Sequence, residues 1–240
     1  MMRPSLFTAN LVAVVFGSVL AVVAITVPVV QGTGSSQCVG HGTAYIDPRK
    51  GGGSMLDASA GFGEPLNVII SGLSSPGVLD PTKTFYNYAK AIGFSYECLG
   101  LHIGNPQQAN LGDGRGWINE TAVLREDYGN PGLGTCGESL VGGNHFRIWQ
   151  QEGTCALFLA VSIEQDASEH HNIVSNGYDL GRDALVDGAV GIKTFNEVTY
   201  STTVQSIGGL LPVGANGINH SEFSESFLFL IDFLSFDSWY

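Results

Sequence analysis

From Leu11 to Val30 the chain runs twenty residues without a charge (LVAVVFGSVLAVVAITVPVV), and that stretch constrains everything after it. A signal-peptide apolar core is usually about 7–15 residues long, whereas about 18 or more can cross a bilayer as a helix. Two readings therefore stand. One is a signal peptide cleaved near Val22-Val23-Ala24 or after Pro28 to Gly32 (PVVQG); the other is a retained single-span anchor. β-Branched valines on every side, with no polar face, argue against a buried core helix. Arg3, the only early positive charge, precedes the segment and favours an inside N-terminus. Either way the rest of the chain is expected outside the cytoplasm, secreted or anchored with the main domain extracytoplasmic.

The cysteines agree. Cys38, Cys98, Cys136 and Cys155 all follow the leader, and none forms a C-x-x-C pair that would suggest zinc or a redox motif. Two disulfides are the expectation, with three connectivities open. We favour Cys136 with Cys155 and Cys38 with Cys98, because Cys136 and Cys155 flank the expected strand that carries His145 and Arg147. Asn119-Glu120-Thr121 and Asn219-His220-Ser221 are glycosylation sequons.

Composition limits the partners. Twenty-two acidic against 10 basic residues give a net charge of −12, which repels nucleic acid and anionic membrane surfaces at long range. No nucleic-acid partner is expected, and membrane contact only through the N-terminal segment if it is not cleaved. Hydrophobic residues at 44% suffice for a core, so the 240 residues fit a leader plus one domain.

Along the chain, residues 1–32 are the signal peptide or anchor, and 33–63, rich in Gly and Ser, read as a flexible segment. The domain is expected over 64–220, followed by an apolar stretch, 221–240, that is either an added strand or a dispensable tail. Leu66 to Ser71 has the pattern of a buried strand. Asp80-Pro81 reads as a helix start, with Phe85, Tyr88, Ala89 and Ile92 at helical spacing before Gly93. Phe94 to Leu101, Phe146 to Trp149, Cys155 to Ile163 and Val198 to Val204 read as strands, and Thr121 to Tyr128 as a short helix. The glycine loop from Leu111 to Trp117 lacks the strand and immediate helix of a phosphate cradle and reads as a turn. The fold class is α/β, a single domain with a small mixed sheet and one main helix packed on it.

Catalytic signatures are missing: there is no G-x-S-x-G, no H-E-x-x-H and no G-x-x-x-x-G-K-[ST], so no cofactor or metal is expected. What remains is a polar constellation. His145, Arg147 and Trp149 share one strand face, followed by Ala160-Val161-Ser162, by His170-His171-Asn172-Ile173 and by Asp179 with Arg182-Asp183. A partly buried guanidinium needs carboxylates, for which Asp166, Asp179 and Asp183 are the candidates. The order H-x-R-x-W, small-residue-Ser, His before Ile, then Asp ahead of Arg-Asp resembles the LssY-like C-terminal domain family. Upstream, Asn67 to Gly72 and the helix ending at Gly93-Phe94 fit the same pattern, so the resemblance covers about residues 64–187. The family usually has Trp where this chain has Phe94. The resemblance implies a fold and a site, and no reaction.

Two functions follow. One is a non-catalytic binding or structural module whose His, Arg and Asp side chains form a polar core. The other is a hydrolase of a phosphate-bearing substrate, with His145 and His170 or His171 as acid, base or ligands and Arg147 or Arg182 holding the anion.

Overall fold

Strand patterns with buried residues on both faces need cover on both sides, and the fold supplies it with the helix Phe85–Ala91 on one side and a β-ribbon on the other. The computed structural model describes residues 42–59, 62–102, 104–211 and the backbone of 228–235. Among the described residues no helix is long and apolar enough to cross a membrane. Leu11 to Val30, Cys38 and Asn219 lie outside them.

Eight strands form one sheet: β1 (Val68–Ile70), β2 (Phe94–Tyr96), β5 (Ala122–Glu126), β6 (Gly143–Gln150), β7 (Leu157–Glu164), β8 (Gly191–Phe195), β9 (Val198–Ile207) and β10 (Leu228–Ser235). Their order is β2-β5-β6-β7-β1-β10-β9-β8, with β1 and β10 parallel and every other pair antiparallel. A separate ribbon joins β3 (Gln108–Asn110) to β4 (Trp117–Asn119). The helices are α1 (Phe85–Ala91), α2 (Gly134–Val141) and α3 (Gly177–Ala189). The described residues thus form a single α/β domain.

The sheet divides two apolar layers. On one face Phe85 and Tyr88 of α1 pack with Phe146, Ile148, Leu159 and Val68. On the other, Trp149, Phe158 and Ile69 meet Met55, Ala109 and Leu111. Asn67, fully buried, donates Nδ2 to the Val161 and Tyr178 carbonyls and accepts the Val161 N–H through Oδ1. It closes the ladder where β1 begins, and α3 lies beside β7 there, which puts Tyr178 in one layer and Leu185 in the other.

Several sequence expectations need correction. Residues 121–128 contain no helix; Ala122–Glu126 is a strand between β2 and β6, with Val123 and Leu124 both buried. The flexible segment ends before the domain was expected to start, because Met55 and Asp57 are buried and Leu56 bridges Pro65. The turn at Gly112 is a packing device: its φ is +65° and a Cβ there would collide with the Pro48 carbonyl. Of the two readings of 221–240, the added strand is the one found: β10 sits inside the sheet between β1 and β9. Among the described residues the longest helix is α3, for which the sequence carries no expectation, and the expected helix α1 is shorter.

Both favoured disulfides are also corrected. Cys98 pairs with Cys136, tying the turn after β2 to α2. Cys155 is oxidised as well. Flanking a strand in sequence put Cys136 and Cys155 on different elements: Cys136 faces the edge strand from α2, while Cys155 enters β7 from the hairpin turn.

Candidate functional site

Antiparallel register aligns side chains across strands in rows. Arg125 on β5 lies opposite His145 on β6, which lies opposite Ser162 on β7; two residues on, Arg147 lies opposite Val123 and Ala160. Both guanidiniums therefore rise from the face that carries Trp149. Each is met by carboxylates from other elements.

Arg125 Nη1 donates to Glu138 Oε2 of α2 at 3.0 Å and to Glu164 Oε2 at the end of β7 at 2.8 Å, and its Nε is 3.8 Å from Glu97. Arg147 Nη1 donates to Glu120 Oε2 at 2.7 Å. Glu64 and Asp57 add their charge to the Arg147 site. None of Asp166, Asp179 and Asp183 accepts the Arg147 bond: Arg182 donates to Asp179 Oδ1 and Asp183 Oδ1, both at 2.8 Å, on α3 itself. Asp166 instead caps a 3₁₀ turn by accepting the Ser168 N–H.

Of the two histidines in tandem, His170 is exposed, and His171 is half-buried with Nδ1 3.5 Å from Glu164 Oε2. His145, with no exposed surface, has Nε2 3.3 Å from Glu164 Oε1, in a geometry that makes no hydrogen bond. Glu164 therefore sits among Arg125, His145 and His171. Sequence reasoning missed Glu64, Glu97, Glu120, Arg125, Glu138 and Glu164. The available signal for Glu164 was its position two residues after Ser162 on the same strand face.

Burial sets the protonation states. It pushes His145 down to about 4, with Arg125 and Arg147 adding to the effect against Glu164, so the imidazole is neutral at pH 7. Burial works against the Glu164 charge, yet His145 and Arg125 hold its carboxyl below the usual range; with His145 neutral, Arg125 is what acts at pH 7. Glu138 is pushed up to about 7 by burial despite Arg125. Burial and then the Asp57 charge push Glu64 up to about 8, and burial also raises Asp57 over the opposing Ser59 hydrogen bond.

The pH dependence follows from Glu64. Its folded value of about 8 lies above the ordinary 4.5, so between these limits the folded state holds the extra proton and stability falls as pH rises. Glu64→Gln should match wild type near pH 4 and exceed it above pH 8, by upward of about 1 kcal/mol. Urea unfolding at both pH values checks this, and an equal offset at both would contradict it. His145 has the opposite sign: its lowered value makes stability fall as pH drops from 6.5 through about 4.

Chemically, the face presents cations already engaged by carboxylates. Among the described residues no group of three or more His, Cys, Asp or Glu is placed to hold a metal ion. Asn119 is exposed at the end of β4, where its Oδ1 accepts from Gln108 Nε2. Known proteins supply no relative for this arrangement: no family model, no curated protein and no solved structure matches the chain.

Proposed function

We propose that this chain is an exported, non-catalytic binding or structural module, related to the LssY-like C-terminal domains it resembles, whose His, Arg and acidic side chains form a structural polar core. One observation carries the reading: the guanidiniums an anion would need are bonded internally, Arg125 to Glu138 and Glu164, Arg147 to Glu120, and Arg182 to Asp179 and Asp183. A phosphate would have to displace carboxylates that, Asp183 apart, are themselves buried, leaving each without its counter-charge. The Cys98–Cys136 disulfide supports an oxidising compartment, secreted or membrane-anchored with this domain extracytoplasmic.

Thermal melting in inorganic phosphate against matched sodium chloride tests the non-catalytic reading. A phosphate site would add about 2.7 kcal/mol at a hundredfold excess over its Kd; no rise is expected. A saturable rise in Tm that is lost in Arg147→Met would favour the hydrolase instead. Export has its own check: the tagged chain should resist cytosolic labelling, and Asn119→Gln should increase its electrophoretic mobility if the sequon is used.

A further inference from the structure

Tyr86 of α1 and Tyr96 of β2 bring their rings together with centroids 3.7 Å apart and planes 31° from parallel. Aromatic pairs usually keep their centroids roughly 4.5–7 Å apart, so this contact is unusually tight and close to face to face. Tyr88 and Tyr200 show the ordinary arrangement, edge to face at 5.2 Å and 75°, with both side chains buried. Tyr96, by contrast, is 43% exposed, and it lines with Tyr86 a groove of about 230 Å³ that opens beside β5. One ring of the tight pair is therefore open to a reagent in solution.

We propose that Tyr86 and Tyr96 are an oxidation site, at which a haem peroxidase using hydrogen peroxide joins the two rings as dityrosine through the carbons ortho to their hydroxyls. A tyrosyl radical, formed when a phenol loses its hydrogen atom, carries much of its unpaired spin at those carbons, in orbitals perpendicular to the ring. Stacked rings aim such orbitals at each other, and edge-to-face rings do not. One hydrogen atom leaves each hydroxyl, and together the two reduce one hydrogen peroxide to two waters. The carbon–carbon bond forms between the two radicals, and the hydrogen on each newly bonded carbon then moves to its own oxygen, which restores both phenols. Tyr96 is the point of entry, because Tyr86 is only 9% exposed. The hydrogen bond between the two side chains gives the radical its path inward: Tyr86 passes its hydrogen to the Tyr96 radical, and Tyr96 is then oxidised a second time. The chemistry suits the compartment, since Cys98, two residues beyond Tyr96, is itself oxidised in a disulfide. The product ties α1 to β2 and restricts the unfolded chain as a disulfide does.

This site goes beyond the structural role of the buried network and does not depend on it. The full chain is treated with a haem peroxidase and one equivalent of hydrogen peroxide, then reduced, blocked at its thiols and cut with trypsin. Cleavage at Lys83, Lys90 and Arg115 leaves Tyr86 on peptide 84–90 and Tyr96 on peptide 91–115. Mass spectrometry should recover the two peptides joined, lighter by two hydrogen atoms than their sum, with fragmentation placing the bond at Tyr86. Tyr86→Phe and Tyr96→Phe keep the rings and should each lose the joined product. Tyr88 shares the peptide of Tyr86 and is nearer to Tyr96 in sequence, so a bond at Tyr88 would mean that chain proximity decides and stacking does not. That result, the absence of a joined peptide within one chain, or its survival in both variants would overturn the proposal.

Discussion

Replacing the Cys98–Cys136 pair by serines is expected to cost about 4 kcal/mol of folding free energy, which is what closing a loop of this length removes from the unfolded chain's entropy. The two cysteines are 38 residues apart. Their link also has a local duty. β2 is a three-residue edge strand and α2 only eight residues, too short to hold position by helix propensity alone. α2 carries Glu138 to Arg125, so loosening it weakens the ion network from its rim. Urea unfolding of Cys98→Ser/Cys136→Ser measures the cost, and amide exchange in α2 should rise more than in β6 or β7. A loss below about 1 kcal/mol would contradict the estimate.

Arg147→Met is expected to destabilise the domain by about 3 kcal/mol at pH 8, because removing one partner leaves buried carboxylates without their counter-charge. Glu120, Glu64 and Asp57 are the groups left behind. Methionine keeps much of the volume, so the loss measures charge more than packing. At pH 4 Glu64 and Asp57, whose carboxyls burial holds above the usual range, can protonate and need no cation, and the penalty should shrink there. The same cost at both pH values would mean that packing dominates.

Legibility in the sequence followed the physics of each segment. β6 and β7 were readable because Phe146, Ile148 and the run from Ala156 to Val161 are apolar and buried, and the turn at 151–154 between them marks a hairpin. Thr121 to Tyr128 reads as a short helix stopped by Gly129-Asn130-Pro131, but β5 is a strand whose Arg125 is turned to carboxylates of other elements. α3 was missed because Gly177, Gly181 and Gly188 break its apolar pattern. Gly181 is there for contact: a Cβ would come within 2.8 Å of the Ser162 backbone, so the helix could not lie so near β7.

The polar cluster was half legible for a related reason. Strand alternation put His145 and Arg147 on a common face, since that depends only on local geometry. The acids that answer them and Arg125 come from residues 57, 64, 97, 120, 138 and 164, on elements whose neighbourhood is set by sheet order and the disulfide. Spacing within 145–183 pointed to Asp179 and Asp183, which are nearer in sequence and serve Arg182. The cysteine pairing failed in the same way, because Cys98 and Cys136 meet only once β2 and α2 are docked.

The most direct test of a structural polar core is urea unfolding of His145→Ala beside Arg147→Met at pH 7, with and without inorganic phosphate. His145 is fully buried between the two arginines and beside Glu164, so its truncation should lower unfolding free energy by about 2–3 kcal/mol, as for other buried truncations. Phosphate should stabilise neither wild type nor variant. Wild-type stability in both variants, together with a phosphate-dependent stabilisation present only in the wild type, would contradict the structural reading and move these residues into a binding site.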